Sequence, residues 1–190
     1  MQQRSLQQIL FIIGVLLCQN TLRADTLSLT EAAQTTGMVV MIRHALAPGF
    51  GDPSQFDLNR CDTQRNLDHR GRTQSRAIGQ AMRDAGFQAR GVLSSPWCRC
   101  TETAELMSLG PVERFDGLSS FFQNHAPRGY TLKRLRERLD RIQPDDPPLV
   151  MVTHQVVISA ITGQGTRSGG AVLYDPRTER TVALEMPPTP

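Results

Sequence analysis

Apolar positions run along the chain in two rhythms. Met38 to Ile42 is an unbroken apolar run, the pattern of a strand buried on both faces, and Leu149 to Val152 repeats it. Val92 to Ser94 reads as a shorter strand of the same kind, and Pro111 to Phe115 as a weak one. Between these runs the period changes. Ala77, Ile78, Ala81, Met82 and Ala85 recur at helical spacing, with Asp68 as N-cap and Gly86 as the stop. A second helix runs from Pro96 through Thr103, Ala104 and Met107 to Gly110. A third spans Thr131 to Ile142, with Leu132, Leu135, Leu139 and Ile142 on one face, and the prolines of 144–148 end it. A fourth follows His154 through Ile158 and Ile161 to Gly163. Ala171 to Tyr174 and Thr181 to Leu184 flank the turn residues Asp175 and Pro176 and predict an edge hairpin. The lead before Met38 carries no assigned element, and 186–190 reads as a frayed tail.

Strand and helix alternate, which predicts an α/β fold: a three-layer α/β/α sandwich with a mainly parallel sheet and helices on both faces. Ligands bind outside the carboxyl ends of the strands in such sheets. One strand ends in Arg43 and His44, another in Thr153 and His154, and a third leads through Ser95, Pro96 and Trp97 to Arg99. Two arginines and two histidines therefore converge on one sheet edge. The segments 45–66 and 118–130 lack periodicity, and irregular segments of this length usually serve function. They are expected to wall the site.

The 190 residues suit one domain, assigned to 25–185, and 39% hydrophobic with 21% charged residues marks a globular chain. Residues 1–24 have the layout of a secretory signal peptide: Arg4, an apolar run from Ile9 to Cys18, then a polar stretch to Leu22, Arg23 and Ala24. The apolar run is about half the ~20 residues a membrane-spanning helix needs, so no stable span remains after cleavage. Lipid attachment at Cys18 is disfavoured because the preceding Leu17 is not small. The predicted location is secreted or periplasmic. Loss of Arg4 and Arg23 would lower the basic count from 21 to 19 against 18 acidic residues, which argues against a nucleic-acid partner.

Cys61, Cys98 and Cys100 would then face a compartment that permits disulfides. Positions 98 and 100 do not share a helix face, so Cys61 is expected to bond one of the two and leave one free thiol. Three buried thiols are the bland alternative. The histidines do not complete a zinc site around these cysteines, and no metal or other cofactor is expected.

The converging residues suggest phosphoryl chemistry. Neighbouring guanidiniums disfavour the cationic imidazole and keep His44 a neutral nucleophile. The same groups offer planar, bidentate donors that suit a dianionic phosphoryl group. His154, at a helix start, adds a donor where transition-state charge develops. Taken singly, each histidine would ordinarily be a packed or capping residue and Arg99 a solvated helix charge. The combination carries the reading. His69 and His125 read as surface histidines, and Arg60 and Arg65 as solvated loop charges.

These residues resemble the histidine phosphatase superfamily, the phosphoglycerate mutase-like clan, over nearly all of 25–185. Val40, Met41, Ile42, Arg43, His44 and Ala45 are similar to its signature strand and loop, with Ala45 where glycine is usual. Leu67 through Gly71 to Gln74 is similar to the start of its first helix. Ser94 to Arg99, with Thr103 and Ala104, is similar to the segment carrying its second arginine, and Val152 to His154 to its second-histidine segment, with Thr153 where glycine is commoner. The resemblance implies that His44 accepts the phosphoryl group and that Arg43, Arg99 and His154 complete a phosphate pocket. It implies a metal-independent phosphatase acting on phosphomonoesters or phosphohistidine, on a small phosphorylated substrate such as a sugar phosphate or a lipopolysaccharide core phosphate. Many members carry an acidic proton donor near the place where this chain has Ser119 and Ser120. Asp116 is the nearest candidate, ahead of Glu113 and His125. The alternative from another class is a non-catalytic phosphate-binding or envelope interaction protein that keeps the fold. Mutase activity is disfavoured for a secreted protein, which would not meet glycolytic intermediates.

Overall fold

The computed structural model describes residues 26–189; the predicted signal segment, Cys18 included, lies outside them. A seven-stranded sheet forms the middle layer. Along the chain the elements are β1 (Thr26–Leu27), α1 (Leu29–Ala33), β2 (Val39–Arg43), α2 (His69–Asp84), β3 (Gly91–Ser94), α3 (Cys98–Met107), β4 (Val112–Arg114), α4 (Arg128–Leu139), β5 (Leu149–Thr153), α5 (Gln155–Thr162), β6 (Ala171–Tyr174) and β7 (Thr181–Leu184). The strand order is β1-β7-β6-β2-β5-β3-β4, and the β6 pairings with β2 and β7 are the antiparallel ones.

The pleat divides the core in two. Val40, Ile42, Val150 and Val152 pack against Ile78 and Met82 of α2 and Cys100, Ala104 and Met107 of α3. Val39, Met41, Leu149 and Met151 face the other way, onto Leu135 and Leu139 of α4 and Val157 and Ile158 of α5. Successive strand side chains point to opposite faces, so continuous apolar runs are what a sheet covered on both faces requires. The three-layer expectation is met.

Several boundaries moved. The lead before Met38 holds β1 and α1, the latter opened by a capping box in which the Ser28 hydroxyl accepts from the Glu31 N–H and Glu31 caps the Ser28 N–H. The β6–β7 hairpin is not at the edge: β6 is buried beside β2, and β1 pairs parallel with the outer side of β7. The end of the chain is also tied down, since Arg167 donates to the carbonyls of Met186 and Pro187, and Gln74 to the Thr189 hydroxyl.

Helix α2 sits close to its neighbours through glycine. A Cβ at Gly71 would lie 2.0 Å from the Leu46 carbonyl oxygen, and one at Gly79 would lie 1.9 Å from that of Met107. The first approach holds the segment after His44 against α2; the second docks α2 on the end of α3.

Candidate active site

Parallel register brings the histidines together. Arg43 of β2 is the partner of Thr153 in β5, and the His44 N–H donates to the Thr153 carbonyl at 2.9 Å. Both strands then leave the sheet at the same edge, with the His44 and His154 ring centroids 5.5 Å apart. On the other side of β5, the Ser95 N–H continues the ladder to Val152, and the chain turns through Trp97 into α3. Arg99 lies in the first turn of that helix. The Thr103 hydroxyl fastens the two segments, donating to the Arg99 carbonyl at 2.6 Å and accepting from the Ala45 N–H at 3.1 Å.

Arg43, His44, Arg65, Arg99 and His154 line one cavity of about 210 Å³, with Gly49, Phe50, Gly51, Ser120, Phe122, Gln155 and Val156 around them. The His44 Nδ1–H donates to the Ala45 carbonyl at 2.8 Å. A carbonyl only accepts, so the proton belongs on Nδ1 and Nε2 carries the lone pair. Nε2 of His154 is 2.8 Å from the Ser95 hydroxyl, and the Cys100 sulfur is 3.4 Å from the same nitrogen. Thr153, where the resembled family commonly has glycine, donates its hydroxyl to the Leu118 carbonyl at 2.7 Å and anchors the second irregular segment.

Both imidazoles are buried and sit well below the ordinary histidine range, first because burial penalises the cation and then because of the Arg99 charge. Burial thus outranks the arginines, which the sequence reading had put first. Burial, with Arg99 nearby, also brings the Arg65 guanidinium down to about 10, and burial lifts the Cys100 thiol to about 12. Cys100 is therefore an inert, protonated thiol.

Arg43 donates to the Thr166 carbonyl at 3.0 Å. Its Nε–H and that of Arg99 are buried with no hydrogen-bond partner among the described residues. Buried donors are normally paired, so these open Nε–H groups set Arg43 and Arg99 apart among the residues that line the cavity. Among the described residues no three His, Cys, Asp or Glu side chains gather as a metal-ligand set.

The structure also revises the roster. Arg65, expected as a solvated charge, lines the cavity and donates to the Gly51 and Ala47 carbonyls. Asp116, the proton-donor candidate, is exposed at the start of a short 3₁₀ turn and borders a different cavity, with His125 and Tyr130. The turn sets it beside that second cavity, so it does not line the one that holds His44 and His154. His125 is half-buried against the Phe56 ring at 4.4 Å, not a free surface histidine. His69 is exposed at the head of α2, and Arg60 pairs in solvent with Asp62, both as expected. Glu113 is exposed on β4.

Asp52 was not anticipated. Its carboxylate accepts from both Nη atoms of Arg99, from the Arg65 N–H at 3.0 Å and from Trp97 Nε1 at 3.1 Å. Burial alone would raise its pKa, but these bonds and the Arg99 charge hold it below the ordinary carboxylate range. It is ionised and has no proton to give. The disulfide joins Cys61 to Cys98, with Cα atoms 5.7 Å apart, and ties the segment bearing Asp52 to the start of α3; Cys100 stays free.

Residues 39–121 match the profile of the histidine phosphatase superfamily (branch 1). Over that segment, somewhat under half of its length, the chain is similar to the histidine phosphatase superfamily. That segment holds Arg43, His44, Asp52, Arg65 and Arg99, whereas His154 lies beyond it and is brought in by the sheet. An uncharacterized protein of Picosynechococcus sp. strain PCC 7002 is 32% identical over 117 residues, 60% of this chain and 63% of its own length. The alignment thus spans less than two thirds of that relative. A structure from Agrobacterium tumefaciens assigned as the phosphohistidine phosphatase SixA superposes with a TM-score of 0.54 at 19% identity, covering 80% of this chain and 98% of the other. Phosphoglycerate mutase from Thermus thermophilus gives a TM-score of 0.54 at 17% identity, covering 79% and 99%. At these identities the two structures establish the shared fold alone.

Proposed function

We propose that this protein is a phosphatase of the histidine phosphatase superfamily that hydrolyses small phosphomonoesters, or phosphohistidine, through a covalent phosphohistidine on His44. One observation carries the reading: His44 is locked by its Nδ1–H to the Ala45 carbonyl, leaving Nε2 unprotonated beside a cavity that Arg43, Arg65 and Arg99 line. Nε2 attacks phosphorus, forming an N–P bond as the ester P–O bond breaks and its electron pair departs on the leaving oxygen, which takes a proton from water. The Arg43 and Arg99 donors stabilise charge on the phosphoryl oxygens. A water then attacks phosphorus; the N–P electron pair returns to His44 and inorganic phosphate leaves. Sugar phosphates and lipopolysaccharide core phosphates remain candidate substrates. A secreted or periplasmic location belongs to the same proposal, and the Cys61–Cys98 disulfide supports it.

The test is rapid quenching with isotopically labelled phosphomonoesters, sugar phosphates and phosphohistidine included. The expected result is an acid-labile, base-stable phosphoryl label on His44, absent in His44→Ala together with turnover. Near-normal turnover by His44→Ala, in a preparation free of host phosphatase, would overturn it. Phosphate binding without label or turnover would instead identify a non-catalytic binding protein.

A further inference from the structure

Above the charged floor, the cavity is walled by a pair of aromatic rings. Phe50 is 88% exposed and Phe122 37% exposed, and their centroids stand 5.2 Å apart, edge to face. They come from the two irregular segments, which are bridged where the Asp52 N–H donates to Gln123 Oε1 at 3.0 Å. Phe50 lies between Gly49 and Gly51, both at positive φ, so an aromatic side chain is held out by a sharply turned backbone. Val156 adds a third apolar wall.

The polar side chains beside these rings already have partners. Gln155 Oε1 accepts from the Thr166 N–H, and its Nε2 donates to the Ser159 hydroxyl, each at 2.8 Å. The Ser120 hydroxyl accepts from the Phe122 N–H at 3.3 Å. One Gln155 N–H and the Ser120 O–H are what these two side chains have left to replace the water a hydroxyl-rich leaving group would give up, whereas an apolar ring would meet open aromatic faces.

The absence of an acid points the same way. Among the described residues no carboxyl group lines the cavity, and the carboxylate joined to it, Asp52, is spent on Arg99. A leaving oxygen must therefore depart without a carboxylic proton donor. A phenol, with a pKa of roughly 10, does so far more readily than a hydroxyl near the 15.7 or so of water.

We propose that the site takes a phosphoryl group borne directly on a planar aromatic ring, the aryl phosphate class, with Phe50 and Phe122 as the residues that select the ring. This rests on the phosphatase reading above and narrows it. The ring sits against the two phenylalanines while His44 attacks phosphorus, and the phenolate leaves between them.

Binding separates ring recognition from leaving-group reactivity. Calorimetric titration of the full protein with phenylphosphonate and methylphosphonate should show the aryl compound bound about tenfold more tightly, each ring supplying ~3-fold. Phe50→Ala and Phe122→Ala should each narrow that ratio, and the double variant should remove it; because Phe50 is so exposed, its loss cannot be mistaken for unfolding. In turnover, phenyl phosphate should exceed cyclohexyl phosphate and glucose 6-phosphate in kcat/KM by about 100-fold, and phosphoimidazole distinguishes a ring nitrogen from a ring oxygen as leaving atom. Equal affinities for the two phosphonates, or glucose 6-phosphate turned over as fast as phenyl phosphate, would overturn the aryl assignment while leaving the phosphatase reading intact. No binding of either phosphonate and no turnover of any ester would overturn both.

Discussion

Asp52 holds Arg99 in a two-pronged grip, Oδ1 accepting from Nη1 at 2.7 Å and Oδ2 from Nη2 at 3.1 Å, with both side chains almost wholly buried. The pair fixes the guanidinium plane and leaves Nε–H as the buried donor without a partner. Removing one member of a buried pair strands the other charge. Asp52→Ala is therefore expected to destabilise the fold by about 3 kcal/mol, read from the denaturant midpoint. Asp52→Asn, which keeps one acceptor oxygen for either the Arg65 N–H or Trp97 Nε1–H, should cost less and lower kcat more than it raises KM, because Arg99 stays in the site but loses its orientation.

Arg43 and Arg99 should differ when removed. Each loss is expected to lower phosphatase kcat by ~10²–10³, the usual effect of deleting one charge-stabilising donor. Among the described residues Arg43 forms no ion pair and bonds the Thr166 carbonyl, so Arg43→Ala should leave stability nearly unchanged. Arg99→Ala also strands Asp52 and should lower both rate and stability. Thermal melts alongside steady-state kinetics check the contrast.

Acid should weaken the fold through the two imidazoles. In the folded protein both bind protons less readily than the ordinary value of 6.5, first because of burial. As pH falls through 6.5 the unfolded chain takes up more protons than the folded one, so stability is full above that value and declines below it. Denaturant midpoints between about pH 7 and about pH 5 should show the loss, and His154→Asn should shrink it. His44 remains neutral in the same window, so the acid limb of kcat should fall below 6.5.

Reducing the Cys61–Cys98 bond opens a loop with a sequence separation of 37. On the chain-entropy account it contributes about 4 kcal/mol. The double replacement Cys61→Ser with Cys98→Ser should show a loss of that order, together with a higher KM, because the freed segment carries Asp52 and Arg65. Mass spectrometry of unreduced protein should find, among the described residues, the Cys61–Cys98 disulfide and a free thiol at Cys100.

The buried runs Val39–Arg43 and Leu149–Thr153 were legible because a sheet covered on both faces demands uninterrupted apolar residues, and a sandwich of that kind binds ligands at its carboxyl edge. Arg43, His44, Arg99 and His154 followed from where those runs end and the α3 segment begins. The hairpin's place was not legible, since Ala171–Tyr174 reads the same whether it lies inside the sheet or at its border. The capping box at Ser28 and Glu31 was a signal within reach, and it marked α1.

The irregular segments were the blind region. Asp52 and Arg65 are ordinary loop charges in one dimension, and Asp116 looked like an acid beside a site. Local order alone therefore determined the sandwich and the four side chains at its carboxyl edge, because hydrophobic period and strand ends are properties of neighbouring residues. Tertiary structure decided that Asp52 meets Arg99 across 47 positions, that Arg65 joins the cavity, and that Phe50 faces Phe122. Those pairings depend on loop closure over long separations, held by the Cys61–Cys98 bond and by the Gly71 approach to Leu46, and no local pattern encodes them.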